Sequence, residues 1–222
     1  MREIVLDTET TGLDTAAGHR IVELGCVELW HRIPRGSFQR YVNPERDMPA
    51  DAEAVHGLSA GFLADKPKFA EVAGDFLAFL GDSPLVIHNA GFDLRFLNAE
   101  LERLGRPPIG SERAIDTVQL ARRKFPGAPA SLDALCRRLN IDASRRERHG
   151  ALLDASLLAE VYLELSGGRQ SGLELAFAAG GETGSSLERR FHPARPHAPS
   201  PAEAERHAAF LDRAVPNALW RR

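Results

Sequence analysis

The sequence predicts an α/β fold: a mixed sheet flanked by helices, followed by a flexible C-terminal tail. Three observations predict it. Residues 4–43 read as β-type runs joined by short turns. Residues 69–165 alternate short apolar runs with stretches of helical period. After Ser166 the chain turns rich in Gly, Ser, Ala, Pro and Arg and loses any sustained apolar period. Strands first, then strands alternating with helices, argue one sheet with helices packed on it.

Taken in order, residues 4–7 are a first strand and 8–18 a polar loop, with Gly12 and Gly18 as turn residues. Residues 19–31 are rich in β-formers and read as a second strand. Residues 37–43 read as a third, after a turn at Pro34-Arg35-Gly36, which gives an antiparallel meander. Ser59 is an N-cap for a short helix ending near Asp65. Apolar residues at 69, 72, 73, 76, 77 and 80 have helical spacing. Residues 84–87 and 114–116 are short strands. Asn89 caps a helix to Leu104, and further helices fall at 117–124, 131–139 and 151–165. Residues 201–213 are helical again, with Pro201 near the start.

Composition sets bounds. At 222 residues, 43% hydrophobic and 27% charged, the chain can bury a good core. It has no apolar run of about 18 residues and no charged-then-apolar leader, so neither a membrane helix nor a signal peptide is expected. Cys26 and Cys136 lie far apart and read as buried thiols of a cytoplasmic protein. The net charge of -3 does not announce a nucleic-acid binder. Residues 167–222 carry 8 basic and 6 acidic side chains; residues 1–166 carry 20 and 25. An acidic domain still binds a polyanion if its acids gather around metal ions.

Three segments carry chemistry. In Ile4-Val5-Leu6-Asp7-Thr8-Glu9-Thr10-Thr11-Gly12, two carboxylates are spaced i, i+2 and share one strand face. Like charges side by side repel, and a hard divalent ion with oxygen ligands is the usual compensation. A solvated strand end would carry the same pair. In His88-Asn89-Ala90-Gly91-Phe92-Asp93, Asp93 enters the first turn of a helix, where the dipole favours an anion. Gly91 in that turn suggests close approach to the backbone. In the stretch 145–154, His149 precedes an apolar helix whose opening holds Asp154. A histidine beside a fourth acid is a candidate base. Arg145, Arg146 and Arg148 flank it, suited to phosphate contact or to a solvated loop.

Asp7, Glu9, Asp93, His149 and Asp154, with Val55-His56-Gly57-Leu58 and Asp116-Thr117 between them, resemble the DEDDh 3′–5′ exonuclease superfamily over residues 2–166. Within it the chain is most similar to the epsilon proofreading subunits of bacterial DNA polymerase III. The resemblance implies a ribonuclease H-like mixed sheet and two divalent ions, Mg²⁺ or Mn²⁺, about 4 Å apart. It implies Asp7 bridging both, Glu9 and Asp154 on the nucleophile-side ion, Asp93 on the second and His149 as general base. Asp7, Glu9 and Asp154 then also bound the substrate site. Asp51 and His56 match residues that touch the 3′-terminal nucleotide, though relatives often have Glu where this chain has Asp51.

The same resemblance divides the chain into an exonuclease domain (1–166), a flexible linker (167–200) and a polymerase-binding tail (201–222). Gln170, Leu173 and Leu175 resemble a sliding-clamp peptide. Phe210, Leu211, Leu219 and Trp220 are large apolar residues on a polar tail, and the implied partner is the polymerase alpha subunit. The implied substrate is a single-stranded or frayed 3′ end of DNA, and a small third core subunit stays open as a partner. Two other functions fit less of the chain. A DEDDh enzyme acting on RNA 3′ ends or short oligonucleotides would share the motif without this tail. A scaffold linking clamp and polymerase would not need every catalytic residue, and all are present.

Overall fold

The computed structural model describes residues 1–144, 146, 148–167 and 198–214. The chain divides into a unit spanning Met1–Glu174 and a second spanning Leu175–Arg222. The first holds a five-stranded sheet in the order β3-β2-β1-β4-β5. β1 (Arg2–Thr10), β2 (Ile21–Trp30) and β3 (Ile33–Tyr41) form the expected antiparallel meander. β4 (Leu85–Ile87) and β5 (Ala114–Asp116) continue it in parallel with β1.

Helices cover both faces. α1 (Ala50–His56), α2 (Ala60–Leu63), α3 (Phe69–Leu80) and α4 (Ala90–Arg103) precede β5 or flank β4 in sequence. α5 (Thr117–Lys124), α6 (Leu132–Arg138) and α7 (Ala151–Leu165) follow β5. Because strand side chains alternate, β1 serves two cores. Ile4 and Leu6 pack with Leu24 and Cys26 against Phe69, Phe76 and Leu97 of α3 and α4. Val5 packs with Val27 and Val86 against Leu135, Ala155 and Leu158 of α6 and α7. Each such buried side chain contributes about 1.5–3 kcal/mol. Truncating the fully buried Phe76 to Ala would cost about 3–5 kcal/mol.

Three expectations need correction. The loop placed at residue 8 begins later, because β1 continues through Glu9 to Thr10. Its outer half pairs in register with β2 up to Glu9–Glu23, so ladder hydrogen bonds override the polar composition. The turn placed at Pro34-Arg35-Gly36 lies inside edge strand β3. The chain reverses instead at His31 and Arg32, both left-handed (φ 50 and 65), as a two-residue hairpin requires. Asn89 occupies the N-cap position of α4 but makes no side-chain cap bond; it is left-handed (φ 63), which Asn tolerates. Ser59 does cap α2, accepting from the Phe62 amide. Cys26 and Cys136 are free and buried. No helix among the described residues is long and apolar enough to cross a membrane.

In the second unit, α8 (Pro201–Ala214) is the described element. Phe210 is exposed there, and Leu211 is buried. Residues 168–197 of the linker reading, with Gln170, Leu173 and Leu175, lie outside the described residues, as do Leu219 and Trp220.

Candidate active site

Asp7 and Glu9 both sit inside β1, on the face that carries Glu3 and Val5 toward α7. Directly opposite on β2 stand Gly25 and Glu23. Gly25 is what brings α7 in: a Cβ there would lie 2.1 Å from the Ala151 carbonyl carbon. The first turn of α7 therefore rests on the sheet beside Asp7. Asp154 lies in that turn, its amide bonded to the Gly150 carbonyl, and is buried. His149 is on the preceding loop, as expected, with its amide donating to the Val55 carbonyl of α1 at 3.2 Å.

Asp93 arrives from α4, across the other face of β1. It is 3% exposed, and the Thr8 hydroxyl donates to its Oδ1 at 2.7 Å. The β4–α4 junction is fixed from β5. The Asp116 carboxylate caps α5 at the Val118 amide, and Thr117 Oγ1 lies 2.9 Å from His88 Nδ1. A Cβ at Gly91 would meet nothing within 4 Å beyond its own helix and neighbours, so the close approach expected there is not made by another part of the chain.

Asp7, Glu9, Asp93 and Asp154 line one cavity of about 260 Å³ with Phe92, Arg146 and His149. Among the described residues, Glu9, His149 and Asp154 bring ligand atoms within 4.8 Å of one another. Burial pushes the Asp7 carboxyl well above its usual range, and Asp93, Glu9 and Asp154 add to the rise. Burial raises Glu9 to about 8, reinforced by Asp154 and Glu23. Burial likewise raises Asp93 to about 7, against the Thr8 hydrogen bond. These acids resist ionising together, which a divalent cation would reverse.

One cation already lies among them. Arg146 donates to both oxygens of Asp154, to Asp133 and to His149 Nδ1. Its side chain is 9% exposed, so the solvated-loop reading does not hold for it. Arg148 packs on Gly57, and Arg145 lies outside the described residues.

A second cavity, of about 460 Å³, shares Thr8, Glu9 and Phe92 with the first. Asp51, Val55, His56 and residues 10–13 line the rest. His56 is 6% exposed; its Nδ1 accepts from the Leu58 amide and its Nε2 has no hydrogen-bond partner. Nδ1 as acceptor puts the neutral ring's proton on Nε2, which is itself buried.

The exonuclease family matches residues 4–162, a span that contains all five of these side chains. The chain is 56% identical over 179 residues to the DNA polymerase III subunit epsilon of Rickettsia felis, covering 79% of this chain and 78% of that one. It is 47% identical over 190 residues to the Escherichia coli subunit of the same name, covering 82% and 77%. The chain belongs to the DNA polymerase III epsilon-subunit family of exonucleases. Among solved structures it is similar to exonuclease X in complex with 5′ overhanging duplex DNA (27% identity, TM-score 0.58, 73% of this chain and 90% of that one). It also shares the fold of the nuclease domain of 3′hExo, a DEDDh family member (20% identity, TM-score 0.64, 74% and 91%).

The epsilon-family exonucleases imply divalent metal ions, and the residues present fit them. Four carboxylates offer the hard oxygen donor set that divalent ions such as Mg²⁺ and Mn²⁺ prefer. Sequence reasoning missed Gly25, Glu23 and the role of Arg146. Gly25 reads as an ordinary strand glycine until α7 is placed on it. α8 lies beyond the segment the exonuclease family matches.

Proposed function

We propose that Asp7, Glu9, Asp93 and Asp154 hold two divalent ions, Mg²⁺ or Mn²⁺, and that His149 is the general base of a proofreading 3′–5′ exonuclease. The observation that carries the reading is convergence. Acids from β1, α4 and α7 line one cavity, and His149, half exposed, stands at it with Glu9 and Asp154. When bound, the ions supply charge stabilisation to the attacked phosphate and the leaving 3′ oxygen. Asp7 would be the ligand common to both ions, with Glu9 and Asp154 on the side of the attacking water and Asp93 on the side of the leaving oxygen. His149 takes the proton of the attacking water, the general-base role that histidine fills most often.

The substrate is a single-stranded or frayed 3′ end of DNA. The terminal nucleotide occupies the second cavity, which His56 and Asp51 help to line. The chain works in the cytoplasm as three parts: exonuclease domain 1–166, linker 167–200 and tail 201–222. Gln170, Leu173 and Leu175 engage the sliding clamp. Phe210, Leu211, Leu219 and Trp220 engage the polymerase alpha subunit, with Phe210 the exposed one of the two on α8. Tethering raises the local concentration of the nuclease at the primer end.

The test is degradation of matched and mismatched primers with Mg²⁺, alone and with polymerase. Metal-dependent loss of 3′ nucleotides, faster at mismatches, is expected. Preference for RNA 3′ ends over DNA would favour the RNA-directed alternative.

A further inference from the structure

Glu23 has no part in the chemistry above, yet it is only 2% exposed and stands directly across the sheet from Glu9. We infer that Glu23 is a positioning residue that holds the first turn of α7, and through it Asp154 and His149, against the acids of β1. The inference rests on the nuclease reading of this site.

A helix leaves its first N–H groups without intrahelical partners. At α7 the N-cap is Gly150, which has no side chain to supply one. Glu23 Oε2 accepts from the Ala151 amide at 3.1 Å, so a carboxylate on the neighbouring strand does the work of the cap. The helix dipole favours a negative charge at that end. Glu23 is itself fixed by β3, because the Gln39 side-chain amide donates to its Oε1 at 2.8 Å.

The far end of α7 is fastened too: the Tyr162 hydroxyl donates to the buried Glu3 at 2.6 Å. That contact lies about 16 Å along the helix from Ala151. Of these two contacts, the Glu23 one bears on the turn that carries Asp154. It is also a costly place for an acid, since Glu23 stands directly across the ladder from Glu9. A Ser or Asp at residue 150 would cap the helix without that cost. What such a cap would lack is the tie to β2, the strand paired with the metal-site strand.

The experiment compares the full chain with Glu23→Ala and Glu23→Gln. In Glu23→Ala, Mn²⁺ affinity by calorimetry and kcat on a mismatched primer should each fall about 10–100-fold, as for lost outer supports of metal ligands. KM for the primer should stay near wild type, and amide exchange at residues 151–154 in metal-free protein should quicken. Glu23→Gln keeps an acceptor for the Ala151 amide, so it should recover all of these. Wild-type Mn²⁺ affinity and kcat in folded Glu23→Ala, with only Tm lowered, would overturn the proposal. Failure of Glu23→Gln to recover them would overturn it as well. If Glu23→Ala does not fold, Glu23→Asp withdraws the acceptor by one methylene. It should move the same readouts the same way, and wild-type values there would overturn the proposal. A wild-type chain that degrades no primer contradicts the nuclease reading instead; Mn²⁺ affinity and amide exchange would still decide the role of Glu23.

Discussion

Arg146 grips Asp154 by both carboxylate oxygens, at 2.5 and 2.6 Å. The same guanidinium reaches His149 Nδ1 at 2.8 Å. A guanidinium cannot give up its charge, so it serves as the cation of the metal-free site. It also occupies the lone pair of the proposed base. A divalent ion taking Asp154 competes with it for the carboxylate. Arg146→Gln should therefore bind Mn²⁺ about tenfold more tightly, corresponding to one charged hydrogen-bond contact released. The metal-free variant should lose about 1–3 kcal/mol of stability, because Asp154 stays buried without its partner. Calorimetry and thermal unfolding check the pair. Unchanged Mn²⁺ affinity would mean that arginine and ion do not compete.

The raised carboxyls give the metal-free protein a pH dependence of definite sign. Glu9 moves from 4.5 to about 8 and Asp93 from 3.8 to about 7 on folding. Between those values the native state holds more protons than the unfolded chain, so stability falls as pH rises. Buried His56 and partly buried His88 are pushed below 6.5 and act in the opposite direction under that pH. The clean window is therefore pH 6.5 to 8. With a chelator, Tm should drop across it. With Mn²⁺ the slope should vanish, and binding at pH 7 should release protons. A Tm that rises with pH in chelator contradicts the assignment.

Gly25→Ala should damage the site from a distance. The added methyl meets the Ala151 backbone and pushes the start of α7 off β2. Overpacking of this kind costs about 1–3 kcal/mol. Thermal unfolding and primer degradation should both suffer. Wild-type values for both would mean that α7 is not held by this contact.

The elements with strong local period were legible from sequence. α3, α5, α7 and β5 have the ends their patterns gave, because apolar spacing and the packed face agree. β1 was cut short because Thr8, Glu9 and Thr10 are polar, and only pairing with β2 makes them strand. The hairpin at His31 and Arg32 was missed because neither residue advertises a left-handed turn. The acids and His149 were readable as residue types at set spacing. Gly25, Glu23 and Arg146 were not, since each acts through a contact more than five residues distant in sequence, and periodicity carries no such information.

The tail makes a separable prediction. Deleting residues 201–222 should abolish co-purification with the polymerase alpha subunit and leave primer degradation intact, because α8 lies outside the matched exonuclease segment. Changing Gln170 and Leu173 to Ala should weaken clamp binding without altering kcat. Clamp affinity that does not change removes the peptide reading.

His149 decides the central claim, because it is the proposed base and, among the described residues, its donor atoms cluster within 4.8 Å of those of Glu9 and Asp154. The direct measurement is the single-turnover rate of His149→Ala on a mismatched primer, with Mn²⁺ affinity taken on the same protein. A base role predicts a rate lowered about 10²–10⁴-fold with Mn²⁺ and DNA affinity retained. A near-wild-type rate, or Mn²⁺ affinity lost along with the rate, would contradict it.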